Sequence, residues 1–134
     1  MPVSNKAQYL ILAPAAGNFP AIGQLIVEAL REDGLEPISA EESFLRSTIL
    51  VDGILRAIKQ ADFVIADVTA QNPNVFFELG LAVASKKLVL LVSQNANDLP
   101  RQMRHQHVFI YDPAKPEVLR DGIRRWVWLF QAAA

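Results

Sequence analysis

The sequence predicts a single α/β domain built on a parallel sheet. Three observations carry that reading. Short, continuous apolar runs alternate along the chain with amphipathic stretches of helical period. The runs are bounded by Pro, Gly and Asx residues, which break or cap regular structure. The 134 residues and 51% hydrophobic content supply one core of ordinary domain size. A tail over residues 1–8 and one domain over 9–131 are therefore expected.

Each element follows in order. Tyr9-Leu10-Ile11-Leu12-Ala13 is a buried strand that stops at Pro14. Ala15-Ala16-Gly17-Asn18 is a loop of small residues. Phe19, Ile22, Ile26, Ala29 and Leu30 then recur at helical spacing, and Asp33-Gly34 ends that helix because glycine accepts the left-handed cap conformation. Leu35 to Ser39 is a short second strand, and Ala40 to Arg46 a polar loop. Val51, Ile54, Leu55 and Ile58 mark a second helix, with Ser47 or Thr48 as its cap. Phe63-Val64-Ile65-Ala66 is a third strand running into Asp67. A third helix spans about Pro73 to Ser85, after which Leu88 to Val92 and Val108 to Tyr111 are strands four and five. Leu119, Ile123, Trp126 and Phe130 outline a last helix. Right-handed crossovers leave few ways to arrange this order, and a three-layer, flavodoxin-like sheet in the order 2-1-3-4-5 is the one expected. Ligands bind such sheets at the carboxyl ends of the strands where the order reverses. That crevice lies between strands one and three, lined by Pro14 to Asn18 and by Asp67 to Asn74.

Composition removes several function classes. The net charge of −1 gives no electrostatic argument for nucleic acid or a membrane surface. With no cysteine there are no disulfides, thiolate metal sites or cysteine nucleophiles, which fits a reducing cytoplasm. The apolar runs fall well short of the roughly 18 residues of a membrane span, and the polar N-terminus has no signal-peptide pattern. His105 and His107, near Arg101 and Arg104, offer too few ligands for a metal site. They read as a solvated loop whose arginines are within reach of an anionic ligand. No P-loop and no serine-histidine-aspartate arrangement is present, and no cofactor or metal is called for.

The third helix carries the strongest signal. Asn72 is an N-cap and Pro73 suits the first helical position. From Val75 to Ala84, apolar residues occupy nearly the whole circumference, so the helix is expected to be largely buried. Asn74 and Glu78 interrupt it, four apart and on one face. A carboxylate there needs a partner or a purpose. Either it pairs with an arginine or the backbone of the first loop, or it works at the crevice. Gly80 permits close approach of another backbone, or reflects helix–sheet packing. Asp67 is a loop cap, for Thr69 or the next helix, or a second carboxylate of the crevice.

The stretch Ala61-Asp62-Phe63-Val64-Ile65-Ala66-Asp67-Val68-Thr69, with Asn72-Pro73-Asn74-Val75-Phe76-Phe77-Glu78-Leu79-Gly80-Leu81-Ala82, resembles a large group of bacterial domains. These are related to nucleoside 2-deoxyribosyltransferases and, more distantly, to Toll/interleukin-receptor-like domains that cleave nicotinamide nucleotides. Asp98-Leu99-Pro100 through Arg104, then Val108 to Tyr111, is similar to the group's pattern before its last strand. The resemblance implies a flavodoxin-like fold. It implies that Glu78 is the nucleophile attacking the anomeric carbon of a nucleoside or nucleotide, and that Asp67 assists in binding it. Asn72 and Asn74 would orient sugar hydroxyls, with Thr69, Pro14, Gly17 and Asn18 completing the substrate site. Backbone N–H groups of the first loop would receive a phosphate. Two features depart from the enzymes of the group. Asn72-Pro73-Asn74-Val75 replaces their glycine- and acid-containing lead into the glutamate, and the first loop lacks their Pro-Phe pair.

Two further expectations concern association and activity. Trp128 and Leu129 lie opposite Ile123 and Trp126 on the last helix. With Phe76 or Phe77, they predict an interface between copies of the chain, a homodimer or higher oligomer, unless the C-terminal tail folds over Trp128. Besides the enzyme reading stand two others: a pocket that binds a nucleotide-like signal without turnover, and a scaffold that uses its apolar helix faces.

Overall fold

A computed structural model describes residues 7–38, 50–104 and 107–133. Five strands, β1 (Gln8–Leu12), β2 (Glu36–Pro37), β3 (Phe63–Asp67), β4 (Leu88–Ser93) and β5 (Val108–Ile110), form one sheet in the order β2-β1-β3-β4-β5. Every pairing is parallel. The helices are α1 (Phe19–Glu32), α2 (Leu50–Gln60), α3 (Pro73–Ala84) and α4 (Pro116–Ala133). The three-layer architecture and strand order expected from the sequence are thus observed. The proposed caps Ser47 and Thr48, and His105, lie outside the described residues.

Alternation along the strands divides the core into two layers. Leu10, Leu12, Val64, Ala66, Val89 and Leu91 face α2 and α3, where they meet Ile54, Ile58, Val75 and Leu79. Tyr9, Phe63, Ile65, Leu90 and Val92 face α1 and α4, where they meet Ile26, Leu30, Leu119 and Ile123. Phe63 centres that second layer, stacked on Tyr9 and edge-on to Trp126 and Phe130. The Tyr9 hydroxyl is fully buried and finds no hydrogen-bond partner among the described residues. Burial pushes its pKa up to about 12. On α4, Gly122 leaves the space that the Phe109 ring fills, since a Cβ there would stand 2.3 Å from it.

The chain punctuation behaves as its chemistry dictates. Gly34 takes φ +83 just after α1, and the Leu35 N–H donates back to the Leu30 carbonyl, closing the helix. Asn72 caps α3, its Oδ1 accepting from the N–H groups of Asn74 and Val75 at 2.9 and 3.2 Å.

Three expectations are corrected. β2 is two residues long rather than five. α3 is not buried all round: Val75, Leu79 and Ala82 are buried, while Phe77 and Val83 are 55% and 42% exposed. A helix lying on one face of a sheet has only one side to bury, whatever the apolar residues on the other. Gly80 lies on the exposed side with open space where a side chain would project, so no backbone among the described residues approaches it.

Candidate active site

The crevice sits where the topology puts it, past the carboxyl ends of β1 and β3. Its cavity volume is about 730 Å³. The loop after β1 supplies one wall through Ala13, Pro14, Ala15 and Ala16. Val51 and Ile54 of α2 supply another, and Asn72, Asn74, Phe77 and Glu78 line the side formed by α3. Asn74 and Glu78 therefore do share a face, and that face opens on the cavity.

Glu78 is partly buried. Burial raises its carboxyl pKa above the ordinary carboxylate value, because desolvation penalises the charged form. Among the described residues no side chain or backbone group hydrogen-bonds it and no cation pairs with it, so the pairing alternative finds no support there. A carboxylate without a structural partner among the described residues, at the rim of a concave site, is available for nucleophilic or acid–base chemistry.

Asp67 has a different environment. It occupies the same strand face as Phe63 and Ile65, which looks toward α1 and α4, whereas Glu78 opens on the α2 and α3 side. Asp67 is 3% exposed and both its oxygens are engaged. Oδ1 accepts from the Thr69 N–H at 3.1 Å and the Thr69 hydroxyl at 2.6 Å, and Oδ2 accepts from the Tyr111 hydroxyl at 2.5 Å. The loop-cap alternative accounts for this geometry, and neither Asp67 nor Thr69 lines the cavity. The Thr69 hydroxyl also accepts from the Gln94 N–H at 3.0 Å. Burial, with the Asp67 hydrogen bond, raises the Tyr111 pKa well above the ordinary tyrosine value.

The remaining expected residues divide. Pro14, Asn72 and Asn74 line the cavity, although the Asn72 carbonyl oxygen Oδ1 is committed to its cap. Gly17 and Asn18 are not in the lining. Gly17 takes φ +72 to turn the chain into α1, and Asn18 Oδ1 accepts from Gln94 Nε2 at 3.4 Å. Arg101 and Arg104 are exposed and do not line the cavity.

Further residues that the sequence reading did not assign to the site hold the rim in shape. Gln94 Nε2 donates to the Tyr111 hydroxyl at 3.0 Å, which ties Tyr111, Asp67 and Thr69 to the first loop. Ala70 and Gln71 both lie in the left-handed region, at φ 61 and 54, a costly conformation for residues with a Cβ. Asp98 Oδ2 accepts from the Ala70 N–H at 2.7 Å, fixing that turn immediately before Asn72. The signal for Tyr111 was available in its place at the end of the last strand, level with the end of β3.

No protein-family model matches the sequence, and no curated protein does. Solved structures do. A 2-deoxyribosyltransferase from Bacillus psychrosaccharolyticus aligns over 82% of this chain and 96% of its own, with 20% identity and a TM-score of 0.61. A CMP N-glycosidase from Clostridium botulinum aligns over 87% of this chain and 98% of its own, with 21% identity and a TM-score of 0.67. The Flv1 flavodiiron core from Synechocystis sp. aligns over 96% of this chain but 37% of its own, with 16% identity and a TM-score of 0.66. The chain thus has a nucleoside 2-deoxyribosyltransferase-like fold.

Proposed function

We propose that this protein breaks the N-glycosidic bond of a nucleoside or nucleotide, with Glu78 as nucleophile. The observation that carries the reading is the desolvated Glu78 carboxyl lining the crevice at the ends of β1 and β3, beside Asn74. Two structures of the same fold, a 2-deoxyribosyltransferase and a CMP N-glycosidase, support it. A carboxylate oxygen of Glu78 bonds to the anomeric carbon as the bond to the base nitrogen breaks. The base departs with that electron pair and takes a proton from solvent. The glycosyl ester left on Glu78 is then opened by water, which is hydrolysis, or by a second base, which is transfer. Asn74, and the amide nitrogen of Asn72 left over from its cap, orient sugar hydroxyls. Pro14 shapes the opposite wall. Asp67 and Thr69 serve by fixing the loop ahead of α3 rather than by touching substrate.

The test is incubation with deoxynucleosides, nucleoside monophosphates and nicotinamide dinucleotide, followed by assay for free base. Release by the wild type and its loss in Glu78→Ala is the expected result. Equal release by both removes the role given to Glu78.

A second reading, a nucleotide-binding, Toll/interleukin-receptor-like module without turnover, is favoured by the first loop, where Ala13 to Ala16 contribute no functional side-chain group. It predicts ligand-dependent thermal stabilisation without product, and a saturating nucleotide panel that shifts no melting curve counts against it. Under either reading we assign α4 to association between copies of the chain, because Trp128 and Leu129 are 66% and 54% exposed. Light scattering that finds a clean monomer at micromolar concentration removes that assignment.

A further inference from the structure

The chain between β3 and α3 takes a form that its own residues do not favour. Ala70 and Gln71 stand in succession at φ 61 and 54, in the left-handed region that a Cβ penalises. Asn72 follows at once, and its Oδ1 sets the first turn of α3. The direction in which α3 leaves this turn, and with it the placing of Asn72, Asn74 and Glu78 along the cavity, depends on those two residues. Two bonds within the segment are local, from the Thr69 N–H to Asp67 Oδ1 and from the Gln71 N–H to the Val68 carbonyl. Three more come from the end of β4 and the loop after it. The Val92 carbonyl accepts from the Val68 N–H at 3.0 Å, and the Gln94 N–H donates to the Thr69 hydroxyl at 3.0 Å. Asp98 Oδ2 accepts from the Ala70 N–H at 2.7 Å. Asp98 has a firm footing. It ends a short helical turn, Ala96–Asp98, in which Asn95 Oδ1 accepts from the Asn97 N–H at 2.9 Å. Leu99 and Met103, which follow, are buried in the layer shared with α2 and α3. No residue from Gln94 to Asp98 lines the cavity.

We propose that Asp98 is a positioning residue of the active site: its carboxylate holds Ala70 and Gln71 left-handed, and so sets where Asn72, Asn74 and Glu78 stand, without touching substrate. The proposal rests on the N-glycosidic reading for the chemistry that it positions. A hydrogen bond to a carboxylate is among the stronger ones, and it is of the same order as the cost of a left-handed residue. Its loss therefore lets the turn relax. Val92 and Gln94 still hold Val68 and Thr69 when Asp98 is gone, so the end of β3 stays in place and the change falls on the entry to α3. Reacting groups must meet in a narrow geometry, so a small displacement there is read mainly in kcat. Glycine adopts the left-handed region without the Cβ penalty, so at position 70 it removes most of the need for Asp98.

Steady-state kinetics of base release test this, at a temperature where circular dichroism shows every variant folded. Asp98→Ala is expected to lower kcat about tenfold to a hundredfold, with KM within about threefold of wild type. Asp98→Asn keeps a side-chain oxygen that accepts from Ala70, and its kcat is expected within about fivefold of wild type. Adding Ala70→Gly to Asp98→Ala is expected to bring kcat back to within about fivefold of wild type. That recovery, with the melting temperature still low, is one that a loss of stability alone would not give. Wild-type kcat in Asp98→Ala overturns the proposal, and so does a double variant that stays as slow as Asp98→Ala. Heteronuclear NMR supplies a readout independent of turnover. Asp98→Ala is expected to shift the amide signals of Asn72, Asn74 and Glu78 as well as that of Ala70. Shifts confined to residues 68–71 and 95–99 overturn the proposal. If the wild type releases no base, the N-glycosidic reading falls by itself, and the amide shifts decide whether Asp98 sets this edge of α3.

Discussion

Two carboxylates stand near the carboxyl end of the sheet, and the protein treats them in opposite ways. Asp67 is almost wholly enclosed and accepts three hydrogen bonds, two from Thr69 and one from Tyr111. Glu78 is only partly buried and opens on the cavity, none of the described residues donates to it, and burial raises its pKa. A buried carboxylate with its acceptor capacity filled is a structural joint. One that faces an open cavity without a protein donor among the described residues is left available to a ligand. The side of the sheet each one faces separates them.

The sharpest way to break this comparison is activity. On the proposed reaction, Glu78→Gln should lower base release by about a thousandfold, while the fold stays intact by circular dichroism. Asp67→Ala should do the reverse, costing about 3 kcal/mol in denaturant titration because it strands the buried Tyr111 hydroxyl and releases the loop before α3. If Asp67→Ala instead melts like wild type but loses turnover, Asp67 belongs to the site and the contrast is wrong. Tyr111→Phe should cost about 1.5 kcal/mol, since it leaves Asp67 Oδ2 without its donor. The smallest effect concerns pH. Because the folded state holds the Glu78 proton more tightly than the unfolded chain does, the group favours folding below the ordinary carboxylate pKa. That contribution is lost as pH rises through the folded value. Glu78→Gln should therefore melt slightly above wild type near pH 7 and show no advantage near pH 4. A variant that melts lower at pH 7 would mean that Glu78 has a stabilising partner.

Much of this was legible in the sequence. The apolar runs, Asp33-Gly34 and Asn72-Pro73 are local signals, and they gave the strand order, the end of α1 and the start of α3. Asn74 and Glu78 were placed on one face by helical spacing alone. The partner of Asp67 was harder to see, because Tyr111 lies 44 residues away and only the assembled sheet brings the ends of β3 and β5 level. The face of Asp67 could have been read: it shares strand parity with Phe63 and Ile65, so a helix on the opposite layer cannot meet it. Thr69 looked available because a hydroxyl in a crevice loop is a common ligand, but its hydroxyl both donates and accepts within the fold. The burial of α3 was overestimated because composition counts apolar residues without saying which of them a sheet can reach.

The brevity of β2 has a consequence for the molecule in a crowded solution. An edge strand with free N–H groups is a template on which foreign strands can grow. In β2 the N–H groups of Glu36 and its neighbour Ile38 point inward, donating to the carbonyls of Ala7 and Tyr9. The residue between them, whose N–H would face outward, is Pro37, which has none. Among the described residues of β2, that margin therefore offers no outward N–H donor. The opposite margin, at β5, is short but carries ordinary residues with Ile110 exposed. The two margins of the sheet thus differ in what they offer a foreign strand, an N–H donor being absent at Pro37 and present along β5.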